Sequence, residues 1–152
     1  MTVLVKWFLL TALSGTAIFF AETQGALSLM IQNDKSFLAL GIMVIYGLMT
    51  VYVGKLAYDA DVVTDKTRKE LTQRANLGWF VAEHFFSLGL LGTIIGLVIA
   101  TSGSLGENLP VSQIVAGLKE GLNTAFFTTI CGIVFSLLLQ LQLLLVRYTI
   151  NK

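Results

Sequence analysis

Four long apolar stretches, near residues 3–21, 36–57, 80–101 and 122–146, constrain this chain more than any other feature. Each reaches the roughly 20 residues that an α-helix needs to cross a hydrocarbon core. Lipid offers the backbone no hydrogen bonds, so stretches of this kind become helices. Hydrophobic residues make up 55% of the 152 and charged residues 12%, with a mean hydropathy of +0.80. A soluble domain of this size has no interior large enough to take them in. The chain therefore reads as an all-α integral membrane protein, one membrane domain over 1–152 with four transmembrane helices. The first stretch has the charged start of a signal peptide in Lys6. Phe19, however, stands where a cut after Ala21 needs a small residue, so the stretch reads as a span.

Charge carries information here through its position. Lys6, Lys55, Lys66, Arg68, Lys69, Arg74, Arg147 and Lys152 fall on one side of the spans, and Lys35 and Lys119 on the other. The positive-inside rule then places both termini and the short connection 58–78 in the cytoplasm. Residues 102–120 become the outer connection and the start of the fourth helix. After Pro110 no breaker stronger than glycine interrupts the chain, which allows one helix from Val111 to Tyr148, roughly 57 Å long and begun above the membrane. A net charge of +1 without a basic stripe argues against a nucleic-acid partner. Cys131 lies in an apolar run and reads as a small core residue. No nucleophile, phosphate-loop or metal-ligand constellation is present, so neither an enzyme nor a bound cofactor or metal is expected.

The third and fourth spans are apolar yet rich in small residues at helical spacing. Gly89, Gly92, Thr93, Gly96, Ala100 and Gly103 share one narrow face of the third. Gly117, Gly121, Ala125, Thr128, Thr129, Gly132 and Ser136 share one face of the fourth. Phe85, Leu90, Leu91, Ile94, Ile95 and Leu97 are expected away from the first face, while Phe127, Ile130, Ile133 and Leu137 supply bulk on the fourth helix. Repeated glycine means that another protein surface comes very close. That surface is either a neighbouring helix in ordinary small-xxx-small packing or a non-identical helix that turns against a low-relief wall.

Counted inward from the outer ends of the two spans near Thr101 and Gly121, Thr93 and Thr129 each lie about 12 Å deep, so antiparallel helices hold both hydroxyls at similar depth. They could line a narrow polar path, or each could bond to a carbonyl one turn back. No acid lies at that depth in either helix, so a titrating group has to come from elsewhere. Glu83 and His84, near the inner mouth, read as an ion exit or as interface anchors beside Trp79. Glu120 reads as an ion entry or as a favourable charge at the outer start of the fourth helix. Gln140 and Gln142 face different sides, and either can bond to a neighbouring helix.

The stretches LGLLGTIIG (88–96) and GLNTAFFTTICGI (121–133) resemble the paired signatures of the MotA/TolQ/ExbB proton-channel family. The resemblance covers the third and fourth spans and their connection. It implies a ring-forming subunit, a homopentamer, of an ion-driven motor in the bacterial inner membrane. Each ring would encircle two copies of a single-span MotB/TolR/ExbD-like partner and pass H+ or Na+. Thr93 and Thr129 fall on the family's ion-path threonines, which face the partner's titrating aspartate. Gly89, Gly92, Gly96, Ala100, Gly121, Ala125 and Gly132 are then expected to touch the partner's helix. Two departures stand out. Thr124 replaces a glutamate that many relatives carry, and the large cytoplasmic region of MotA is reduced to 58–78, which points away from flagellar torque. The alternative is a self-associating membrane scaffold or lesion-forming protein.

Overall fold

The computed structural model describes residues 2–62, 68–102 and 110–150, and all of its regular structure is helical. The order is α1 (Val3–Thr23), α2 (Ala26–Asn33), α3 (Leu38–Val62), α4 (Arg68–Ser102) and α5 (Val111–Ile150). Four of these, α1, α3, α4 and α5, are long and apolar enough to span a bilayer. Gly103, Lys66 and Lys152 lie outside the described residues, as do most of the outer connection and the middle of 58–78. Helix α4 begins at Arg68 and α3 continues to Val62, so both helices extend past their apolar spans and much of the short connection is helical.

Side-chain carboxylates terminate the helices where the backbone leaves groups unpaired. Asp61, near the end of α3, accepts the Val3 and Leu4 amide hydrogens at 2.9 Å each and so caps α1 from a distant part of the chain. Gly25, at φ 74, takes the left-handed conformation that ends the first hairpin arm and starts α2. Helix α2 is a short element with no counterpart in the sequence reading. Beyond it, Asp34 accepts hydrogens from the Ser36 amide and hydroxyl and from the Ala39 amide, which caps α3.

The core runs through α3, α4 and α5, with α1 against one edge. Phe85, Ile42, Leu139 and Leu143 are fully buried. Tyr46 of α3 meets Phe135 of α5 with ring centroids 4.8 Å apart. Beside them Gln142, without exposure, donates its amide to the Tyr46 hydroxyl at 3.1 Å. Phe85 departs from expectation. Its side chain is buried and its carbonyl faces Gly132, so it belongs to the α4–α5 contact rather than away from it. Cys131 is buried as a small core residue. Leu90, Leu91, Ile94 and Leu97 do lie exposed on α4.

Candidate functional site

Helices α4 and α5 pack antiparallel in the most extensive contact of the molecule, and the small residues explain how closely. A methyl group added at Gly96 would fall 2.5 Å from the Gly121 carbonyl oxygen and 2.6 Å from the Ala125 amide nitrogen. One added at Gly132 would fall 2.7 Å from the Phe85 carbonyl oxygen. Gly89 stands against the backbone of Thr128, Thr129 and Gly132, Gly92 against the Thr128 side chain, and Gly121 against Ala100. Backbones therefore touch, which only glycine permits at such positions.

Gly89, Gly92, Gly96, Ala100, Gly121, Ala125 and Gly132 are all buried between α4 and α5 of the same chain. The surface that comes so close is the sister helix. These faces are filled from within the chain; a small residue signals close approach without saying which surface approaches.

The same close approach brings the two threonines together. Thr93 and Thr129 share a hydrogen bond between their hydroxyls across the seam, so they do lie at one depth. Each also has a carbonyl within reach, Gly89 for Thr93 at 3.2 Å and Ala125 for Thr129 at 2.9 Å. Two hydroxyls have two protons and four lone pairs. One proton stays within the pair and the other bonds to a carbonyl. What remains is acceptor capacity, suited to a cation or to a protonated acid. Both residues are half-buried, at the edge of the seam rather than within it.

That edge has a definite side. At 100° per residue, Phe135 and Gln142 turn towards α3 and Gly121, Ala125 and Gly132 towards α4, which leaves Thr129, Ile133 and Gln140 on the far flank of α5. Phe86, Leu90 and Leu97 of α4 and Leu122, Phe126 and Ile133 of α5 are exposed around or near the hydroxyl pair. Around the hydroxyl pair the free flank is thus a broad apolar surface with one polar spot, and Gln140 adds another farther along α5.

The family model described as the MotA/TolQ/ExbB proton channel family matches residues 53–150. The chain belongs to this family. The match takes in all of α4 and α5 and the last part of α3, so the hydroxyl pair lies inside the region that defines the MotA/TolQ/ExbB proteins. No curated protein and no solved structure matches the chain.

The remaining candidates separate. Glu83 accepts the Trp79 indole hydrogen at 2.7 Å, whereas the His84 ring bonds to the Phe80 carbonyl and stacks on Phe80 at 3.9 Å. The two are neighbours in sequence but do not form one relay. Glu120 pairs with Lys35 at 3.3 Å and lies well inside α5, which starts at Val111; it is therefore not at a helix N-terminus. Thr124, where many relatives carry an acid, is fully buried. It donates to the Asn33 carbonyl and accepts the Lys35 amide hydrogen, so it clips the α2–α3 turn onto α5. Sequence reasoning placed Ser136 on the small face and missed its link to Gln140. Ser136 donates to the Ala82 carbonyl at 2.8 Å and accepts from the Gln140 amide at 3.2 Å. Polar residues at i and i+4 on one helix were the available signal.

Proposed function

We propose that this chain is the ring-forming channel subunit of an ion-driven rotary motor and that Thr93 and Thr129 lie on its ion path. Membership in a proton channel family supports an ion-channel role in a motor-type complex. The observation that carries the finer reading is the bonded hydroxyl pair on a flank that α1 and α3 leave uncovered. A ring of such subunits, a homopentamer, would turn this flank inward. Two copies of a single-span MotB/TolR/ExbD-like protein would then stand against Phe86, Leu97 and Phe126 rather than against the glycines. The partner supplies the titrating aspartate, since α4 and α5 have no acid near the hydroxyl pair. The cargo is H+ or Na+, and the membrane is the bacterial inner membrane. A scaffold that self-associates through its smooth faces loses support, because those faces are already buried within one chain.

Reconstitution into vesicles with and without the partner tests this reading. Gradient-driven flux is expected only with the partner, and an aspartate-to-asparagine change in the partner's span should abolish it. Flux through the partner-free ring, or undiminished flux after that change, would contradict the proposal.

A further inference from the structure

Along the free flank, away from the Gly96 end, the α4–α5 seam opens into a groove of about 470 Å³. Glu83 and Phe86 of α4 and Ile133, Ser136, Leu137 and Gln140 of α5 line it. Its two ends differ in chemistry. Nearest the hydroxyl pair stand Phe86 and Ile133, an apolar collar. Farthest from it stand Glu83 and Gln140. Glu83 precedes Thr93 by ten residues and Gln140 follows Thr129 by eleven, so antiparallel helices bring both about 15 Å from the threonines and opposite each other.

The hydrogen bonds fix what each group offers. The Ser136 proton is committed to the Ala82 carbonyl, so Ser136 accepts from Gln140, and the nitrogen of the Gln140 amide is the atom that meets it. The amide carbonyl oxygen remains to take a cation. On α4, the Glu83 carboxylate is held by the Trp79 indole hydrogen, and Trp79 in turn lies 5.2 Å beneath the Arg147 guanidinium. Among the described residues Glu83 is the only acid lining the groove, and His84 is not among its lining residues.

We propose that this groove is the route by which a monovalent cation leaves the threonine pair, with the Glu83 carboxylate and the Gln140 carbonyl as its receiving site. A cation released at the hydroxyls meets an apolar collar next, and a fixed negative charge beyond the collar lowers the energy of crossing. Glu83 thereby takes a role separate from His84. This inference rests on the threonine pair being on the ion path, and its test keeps the two claims apart.

Ring and partner are co-reconstituted in vesicles, and proton or sodium uptake is followed with a pH-sensitive or sodium-sensitive dye at equal partner content. Glu83→Gln keeps an acceptor for the Trp79 indole, so it removes charge without removing the anchor. It should lower flux about tenfold, Gln140→Leu should lower it about threefold, and His84→Gln should leave it unchanged. Wild-type flux in Glu83→Gln alongside lost flux in Thr129→Val would overturn the exit site and leave the threonine path standing. An equal loss in His84→Gln would also overturn it, since the whole inner mouth and not the groove would then matter. Wild-type flux in Thr129→Val would remove the threonine path and the exit site together.

Discussion

The α4–α5 seam has two halves that pack by different means. From Gly89 to Ala100, against Gly132 to Gly121, backbone lies on backbone and hardly any side chain intervenes. From Gly78 to Phe85, against Leu143 to Phe135, side chains fill the seam, with Leu143 set over Gly78, the Ser136 hydroxyl on the Ala82 carbonyl and Leu139 fully buried. The first half closes tightly enough to bond two hydroxyls across it. The second leaves the groove that Glu83 and Gln140 share. One antiparallel pair thus makes a closed polar point and an open, mainly apolar groove with Glu83 and Gln140 at its far end, and side-chain size decides which.

The largest break in this contrast comes from adding bulk to the closed half. Gly96→Leu forces a side chain into the Gly121 and Ala125 backbone, so the helices must separate and the Thr93–Thr129 bond is lost. A loss of about 4 kcal/mol or more is expected, since backbone cannot yield as a rotamer does. Denaturant titration of the purified chain in detergent measures it, and a stable Gly96→Leu protein would show that the seam is looser than drawn.

Removing bulk from the open half should cost less. Leu143→Ala empties the space over Gly78, but lipid gives no hydrophobic drive for refilling it, so mainly the cavity remains as a penalty of about 2 kcal/mol. The same titration checks the order. If Leu143→Ala proved more damaging than Gly96→Leu, the division into closed and open halves would be wrong.

Thr129→Val sharpens the contrast, because it keeps shape and removes only the hydroxyl. Stability should fall by less than about 1 kcal/mol, the usual size of such bonds in membrane helices. Partner-dependent flux should nevertheless be lost. Unchanged flux in a correctly assembled Thr129→Val complex would take Thr129 out of the mechanism.

How much of this was legible in the sequence follows from what periodicity can carry. The four spans, the small faces and the common depth of Thr93 and Thr129 are properties of single helices, and hydrophobicity and spacing give them directly. The identity of the approaching surface is a property of pairs. Gly92 and Gly96 read equally well as a wall for a partner or as a seat for Thr128 and Gly121, and only the packing distinguishes them. Asp61 capping α1 and Thr124 clipping the α2–α3 turn join residues far apart in the chain, so no local pattern marks them. Helix α2 is too short to stand out from a polar connection. Phe85 escaped because a large side chain argues against a small face, although its backbone, not its ring, meets Gly132.

The central claim is that a partner helix meets the flank beside the hydroxyl pair and not the glycine seam. Single-cysteine cross-linking to the partner's span in a Cys131→Ala background tests it most directly, with one cysteine placed at the depth of the partner's aspartate. Leu97→Cys and Phe126→Cys, exposed on the flank, should cross-link to it in membranes, whereas Ala125→Cys, buried in the seam, should not. Cross-links from Ala125→Cys with none from Leu97→Cys or Phe126→Cys would contradict the account and return the glycine faces to the partner.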